Sequence, residues 1–390
     1  MPVKRPQKKK VDARLQKVDG GKKNPYLSAL RHLRSTLYLL LPKNIWLRRV
    51  TLGILILFTL NVTTLYAVSQ WYAWQNRHKP TELGATFISD YAQYLGVDPK
   101  ETLNAVINDL GVKNLRLVSY WDNIEATRGT YDFSNLDWQF AMAEKANVKV
   151  SLAIGLRQPR WPECHMPEWA KQETKAVWYP QLRNFMTAVI ERYKTSPALQ
   201  SYQLENEFFL TVFGKCTDFD RQRLIEEAEL VKKTDPAHTL IISRSNNGVG
   251  LPIGKPRPDL FGVSVYKRVW DQNLTHRYFE YPFPAWFYGS LAGGGKIFTG
   301  KDLIIHELQA EAWAPPTFSI KDAPISELYK SMNPERLADR FEYGKATGMK
   351  SMDLWGVEWW YQMKTKRGAP ELWDTAKAEY QQAKAENSKL

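Results

Sequence analysis

The stretch Leu199 to Leu210, LQSYQLENEFFL, is an apolar-leaning run that breaks into Glu205, Asn206 and Glu207. Polar groups at the end of a buried strand cost free energy unless they are paired or put to use. A second acid, Glu307, stops another apolar run, and Glu311 follows four residues later in IIHELQAEAW. Two opposed carboxyl groups can divide one task. One gives a proton to a departing oxygen, while the other attacks the carbon it leaves or activates water there. Glycosidic bond cleavage requires such a pair. Competing chemistries lack their residues. The six His are scattered, with no His-x-x-x-His or Cys-pair spacing that would hold a metal. A Gly-x-Ser-x-Gly nucleophile turn is missing as well. The expectation is therefore no metal and no cofactor.

The two acids meet only if their strands share a sheet. Short apolar runs alternate with helical periods from Leu83 onward. Strands are expected at 83–88, 114–120, 148–155, 199–207, 239–243, 260–266, 302–307 and 351–355. Asp98-Pro99 and Asn333-Pro334 open helices, as N-cap and first-turn proline. Eight strands alternating with helices over about 300 residues fit an α/β fold, the (β/α)8 TIM barrel. An open doubly wound sheet is the rival, but no Gly-x-Gly-x-x-Gly follows the first strand. A barrel puts its chemistry at the C-terminal strand ends. Those ends carry Arg116, Tyr120, Trp121, Arg157, Asn206, Glu207, Arg244, Tyr266, Glu307 and Trp355. Alternation along the fourth strand puts Glu205 and Glu207 on one face, with Glu205 the deeper and a member of a structural ion pair.

The 390 residues carry a formal charge of +13, which looks like a nucleic-acid signal. Its location argues otherwise. Residues 1–49 hold 14 of the 54 Lys and Arg but only two of the 41 acids, leaving the rest nearly neutral. No nucleic-acid partner is expected of the large domain. Residues 1–25 should be disordered, and 26–46 could form a basic amphipathic helix. Val50 to Asn76 holds no charged residue. Its apolar run matches the roughly 20 residues that cross a bilayer. Arg48 and Arg49 flank one end and Trp71, Tyr72 and Trp74 the other. These flanks put the N-terminus in the cytoplasm and the large domain outside. A cleaved signal peptide, with Ala67-Val68-Ser69 as its site, is the alternative, and it also exports the domain. The division is a basic cytoplasmic tail at 1–49, a transmembrane helix at 50–71, a linker at 72–82 and the barrel at 83–390. Cys164 and Cys216 follow the third and fourth strands on one face. In an exported domain they suggest a disulfide, with two free thiols as the other possibility.

Gly111 to Phe133, GVKNLRLVSYWDNIEATRGTYDF, places an Arg on strand two before a Trp, a Glu and a Gly-x-Tyr-Asp-Phe turn. With it, residues from about 83 to 363 resemble the clan A retaining glycoside hydrolases, the superfamily of β-galactosidases, cellulases, mannanases and xylanases. The resemblance implies roles by position. Glu207 would be the general acid/base and Asn206 the ligand of the sugar 2-hydroxyl. Glu307 would be the nucleophile, held by Tyr266 and kept ionised by Arg116. Trp355 would floor the sugar site. Glu311, the second acid of that segment, is expected in the loop bordering the substrate and is the alternative nucleophile, with Glu307 preferred because the apolar run stops there. Trp121, Trp161, Trp313, Trp359 and Trp360 are further candidates for the cleft floor.

The expected function is a membrane-tethered retaining glycoside hydrolase acting on extracellular β-linked oligo- or polysaccharides. Its localisation is the cell membrane, with the lipid bilayer met through residues 50–71. A carbohydrate-binding barrel without turnover is the alternative, and a partner-binding domain using exposed aromatics is a third. The sugar, endo or exo action and the oligomeric state stay open. So does the shape of the long aromatic, Gly-rich stretch from Trp270 to Gly300.

Overall fold

The computed structural model describes residues 42–245 and 254–390. The expected disordered tail at 1–25 lies outside them, as does most of the basic tail and of the proposed amphipathic segment. Eight parallel strands close a barrel: β1 (Glu82–Thr86), β2 (Asn114–Val118), β3 (Lys149–Ile154), β4 (Leu199–Leu204), β5 (Thr239–Arg244), β6 (Leu260–Val265), β9 (Leu303–Gln309) and β10 (Ser351–Trp355). An antiparallel hairpin of β7 (Arg268–Asp271) and β8 (Arg277–Glu280) stands apart from them. The expected strands are all present, within a few residues at each end.

The barrel follows from alternation in the strands. In β2, Leu115 and Leu117 are buried in the apolar core, and Arg116 between them meets other polar side chains. In β4, Tyr202 and Leu204 belong to the core, while Gln203 bonds Arg116 and Ser243. A period of two thus gives each strand an apolar face for the helices and a polar face for the lumen. Both Pro-led helices start as expected. Asp98 accepts from the Glu101 amide (2.8 Å) and Asn333 from that of Arg336 (2.8 Å).

A helix runs from Ile45 to Asn76 and is long and apolar enough to cross a membrane. The chain forms two compact units that divide inside it, residues 1–63 and 64–390. In the first unit Ile56, Leu57 and Phe58 are among the exposed apolar side chains. In the second unit the helix continues through Ser69, Tyr72 and Asn76, all buried. The expected linker at 72–82 is therefore helical up to Asn76.

The reason lies in the Trp270–Gly300 stretch. It folds as the β7–β8 hairpin and a helix, Ala285–Thr299. Two of its glycines, Gly289 and Gly293, serve close approach between helices, while Gly300 takes the left-handed conformation that ends the helix. A Cβ on Gly289 would lie 2.3 Å from Ser69 Oγ, and one on Gly293 would lie 2.6 Å from Val68 Cγ1. Only glycine admits the neighbouring helix at that distance.

Candidate active site

Glu307 is positioned by an irregularity in β9. Against β6 the register passes from Val263–Ile305 to Ser264–Glu307, so His306 is an extra residue in the ladder. Such a bulge re-aims the side chains beside it. His306 then reaches Ser151 across the lumen (3.3 Å), and Glu307 meets Arg116. Nη1 and Nη2 of Arg116 each lie 2.9 Å from Glu307 Oε1. The Tyr266 hydroxyl donates to Glu307 Oε2 (2.8 Å). Both carboxylate oxygens are thus held by donors.

Glu207 sits in the opposite condition. It is buried, and its Oε1 has no hydrogen bond among the described residues. Burial first, and then the Glu307 charge, push its carboxyl up to about 7. One acid with a donor on each oxygen thus stands near another whose carboxyl is raised by burial.

The backbone after β4 makes this separation possible. Glu205 has φ of 51° and Glu207 φ of 44°, a left-handed conformation rare for residues with a side chain. Strand alternation therefore ends at Leu204, and the expected shared face for Glu205 and Glu207 is lost. Glu205 turns away to Arg223 Nη1 (2.9 Å) and to the amides of Leu156 (2.6 Å) and Arg157 (3.1 Å). It is a structural ion-pair member, while Asn206 and Glu207 stay at the mouth. Strain of this sort concentrates where function requires it.

Asn206 is fixed from three sides. Its Oδ1 accepts from Arg116 Nη2 (3.0 Å) and Gln203 Nε2 (2.9 Å), and its Nδ2 donates to Glu163 Oε2 (3.1 Å). Glu163 is a third carboxyl group in the site that the sequence reading missed. Burial raises it to about 8, against the pull of Arg157, which lies 3.6 Å away. It occupies an irregular loop between Pro162 and Cys164, where no periodicity points to a strand end. Its one signal is the neighbouring cysteine. Cys164 and Cys216 are bonded, with Cα atoms 5.3 Å apart.

Glu207, Glu307, Glu163, Tyr266 and Trp355 line one cavity of about 730 Å³ at the strand ends. Glu311 lines it too, but lies beyond β9 and pairs with Arg160 at 3.2 Å. The same guanidinium lies 4.5 Å over the Trp355 ring, fixing that ring at the floor. Trp161 and Trp313 also face the cavity. Trp121 does not. It opens a helical turn after β2, is fully buried beside Phe185 and Trp169, and donates to Glu125 Oε2 (2.6 Å). That turn carries the ring out of the mouth and into the core, so the expectation of substrate contact is corrected. Trp359 and Trp360 are likewise core residues. Among the described residues no group of His, Cys, Asp and Glu is arranged to hold a metal.

Residues 101–223 match the family model for glycoside hydrolase 42, described as β-galactosidase. The chain resembles the clan A glycoside hydrolases. The matched stretch carries Arg116, Glu163, Asn206 and Glu207. Solved structures share the barrel. A polyextremophilic β-galactosidase from the Antarctic haloarchaeon Halorubrum lacusprofundi aligns with TM-score 0.53 at 12% identity, over 77% of this chain and 58% of that one. The chain thus spans well under two thirds of the haloarchaeal protein. A variant of GH5_18 from Bifidobacterium longum in complex with Manβ1-4GlcNAc aligns with TM-score 0.52 at 10% identity, over 70% of this chain and 68% of that one. No curated protein sequence matches the chain. Family match and barrel together support a glycoside hydrolase.

Proposed function

We propose that the protein is a retaining glycoside hydrolase that cleaves β-linked O-glycosidic bonds by double displacement. Glu307 attacks the anomeric carbon while the bond to the leaving oxygen breaks and Glu207 passes its proton to that oxygen. A glycosyl ester on Glu307 results. Glu207, now a carboxylate, takes a proton from water, whose oxygen attacks the same carbon and frees Glu307. Asn206, held by Arg116, Gln203 and Glu163, is placed to bind the sugar 2-hydroxyl beside the reacting carbon. The observation that carries the reading is the contrast between the acids. Glu307 has donors on both oxygens, whereas Glu207 keeps a buried oxygen without a partner among the described residues.

The domain is further read as exported and tethered through residues 50–71. Arg48 and Arg49 on one flank and the exposed Trp71 and Trp74 on the other support that orientation. The Cys164–Cys216 bond suits an oxidising compartment. A barrel that only binds sugar would not require two acids in such different surroundings, one with donors on both oxygens and one with a buried unpartnered oxygen among the described residues. The test is turnover of activated aryl β-glycosides by the wild type and by Glu307→Ala with added azide. A glycosyl azide of inverted configuration is expected from the variant. Unchanged turnover by Glu307→Ala without azide would reject the assignment.

A further inference from the structure

The cavity wall nearest the acid is apolar, and it ends in aliphatic side chains facing solvent. Trp313 stands edge-on to Tyr266 at 5.5 Å, and Phe213 follows at 6.3 Å from Trp313. This wall leads outward from the nucleophile's own hydrogen-bond partner. At its rim Val212 is 90% exposed and Leu274 is 85% exposed, and both line the cavity.

Neither side chain is on a loose segment. Phe213, beside Val212, is pinned by Arg157 Nη1 on its carbonyl (2.9 Å), and the loop is closed by the Cys164–Cys216 bond. Leu274 tops the β7–β8 hairpin on a turn gathered by the Asp271 carboxylate. That carboxylate accepts the amides of Asn273 (3.0 Å), Leu274 (3.2 Å) and Thr275 (2.7 Å). Two built loops therefore hold hydrocarbon in water at the mouth. Aromatic rings there could serve a sugar through their faces. An isopropyl or isobutyl group offers a sugar neither a π-face nor a hydrogen bond, but it suits another hydrocarbon.

The side of the site matters as well. Val212 and Phe213 lie on the loop that directly follows Glu207. The acid protonates the leaving oxygen, so the aglycone departs along this wall. The route of the chain through the barrel unit agrees. Within that unit the helix segment from Thr64 to Asn76 runs parallel to Ala285–Thr299, with Tyr66 beside Trp286 (6.0 Å), Ser69 beside Gly289 and Tyr72 beside Gly293. Ala285 follows the hairpin that lines the mouth, and Thr299 leads to the start of β9. Thr64, the first residue of the barrel unit, thus lies toward its mouth side.

Resting on the glycosidase reading, we propose that the substrate is a membrane glycolipid. Its sugar sits between Glu207 and Glu307, and its hydrocarbon aglycone lies along Phe213 and Trp313 toward Val212 and Leu274. The experiment uses the full-length protein in phosphatidylcholine vesicles, with Val212→Asn and Leu274→Asn combined. The probes are methyl, octyl and dodecyl β-D-galactosides and β-D-glucosides. The readout is the wild-type to variant ratio of kcat/KM, which cancels the partitioning of long chains into the vesicle. The ratio should stay near one for the methyl glycosides. For the dodecyl glycosides it should reach at least about ten-fold, the factor that burying one aliphatic side chain supplies. Equal ratios at every chain length would overturn the proposal. Binding of the same glycosides, followed by tryptophan fluorescence, needs no turnover. A chain-length preference lost in the variant supports the rim even if hydrolysis fails, and no preference rejects it. Failure of the glycosidase reading alone would leave every aryl and alkyl glycoside uncleaved while that preference persisted.

Discussion

Arg116 reaches Glu307 through two nitrogens, each 2.9 Å from the same carboxylate oxygen, with both side chains buried. The guanidinium also bonds Gln203, Asn206 and the His306 carbonyl. It is the hub that fixes Glu307, the proposed nucleophile, and Asn206, the proposed sugar ligand, together. Arg116→Met should therefore abolish turnover. It should also cost about 3–5 kcal/mol of stability, because the buried carboxylate is left unpaired. Urea denaturation checks the second figure. A variant as stable as the wild type would show that this pair does not organise the barrel.

On the proposed roles, Glu207 should set the alkaline side of the pH profile. Its carboxyl, raised to about 7, is protonated and able to donate below that pH and loses its proton above it. The wild-type kcat/KM should accordingly fall as pH rises through about 7, approaching ten-fold per unit. With a dinitrophenyl glycoside, whose leaving group needs no proton, the first step in Glu207→Ala should lose this dependence. Pre-steady-state release of dinitrophenol measures it. An unchanged alkaline limb in the variant would move the acid role elsewhere.

Glu163 separates charge from hydrogen bonding. Its carboxyl is raised from 4.5 to about 8, so the folded protein holds a proton there that the unfolded chain releases at lower pH. Folding stability is then lost as pH rises between about 4.5 and about 8. Glu163→Gln should flatten part of that loss in thermal melts at several pH values. It should also keep activity within a few-fold near neutrality, since an amide mimics the protonated acid. Glu163→Ala should lose roughly 5- to 150-fold, as expected when a buried amide donor loses its partner. Equal effects of the two substitutions would remove Glu163 from the support of Asn206.

The glycines of Ala285–Thr299 predict a mechanical variant. A Cβ at Gly293 would meet Val68 Cγ1 at 2.6 Å and the Val68 carbonyl oxygen at 2.9 Å. Gly293→Val should displace the segment Thr64–Asn76 and open it to limited proteolysis. Hydrolysis of a soluble aryl glycoside should survive, because the substitution lies away from the cavity. Unaltered protease resistance would show that the contact is not needed to hold the helix.

Much of this was legible where side-chain period and chain direction coincide. NLRLV in β2 sets Arg116 between two core leucines, and that pattern is visible in the sequence. The Asp98-Pro99 and Asn333-Pro334 starts were equally plain, because capping is local chemistry. What failed depended on irregular backbone or on contacts distant in sequence. Alternation misplaced Glu205, since positive φ at Glu205 and Glu207 ends the strand pattern. Trp121 stands next to a strand end in sequence, yet one helical turn takes it into the core. Gly289 and Gly293 resemble loop glycines until Ser69 and Val68 arrive from 220 and 225 residues away. Glu163 lies in a loop with no period to read, and only its bond to Asn206 reveals it.

The most direct test of the account is to trap the glycosyl ester. The full-length protein is treated with 2-deoxy-2-fluoro β-glycosides bearing a dinitrophenyl leaving group and digested, and the modified peptide is sequenced by mass spectrometry. One sugar is expected, on Glu307, the acid that Arg116 and Tyr266 hold. A sugar on Glu311 would contradict it. So would a first-formed product of inverted anomeric configuration from an untreated substrate.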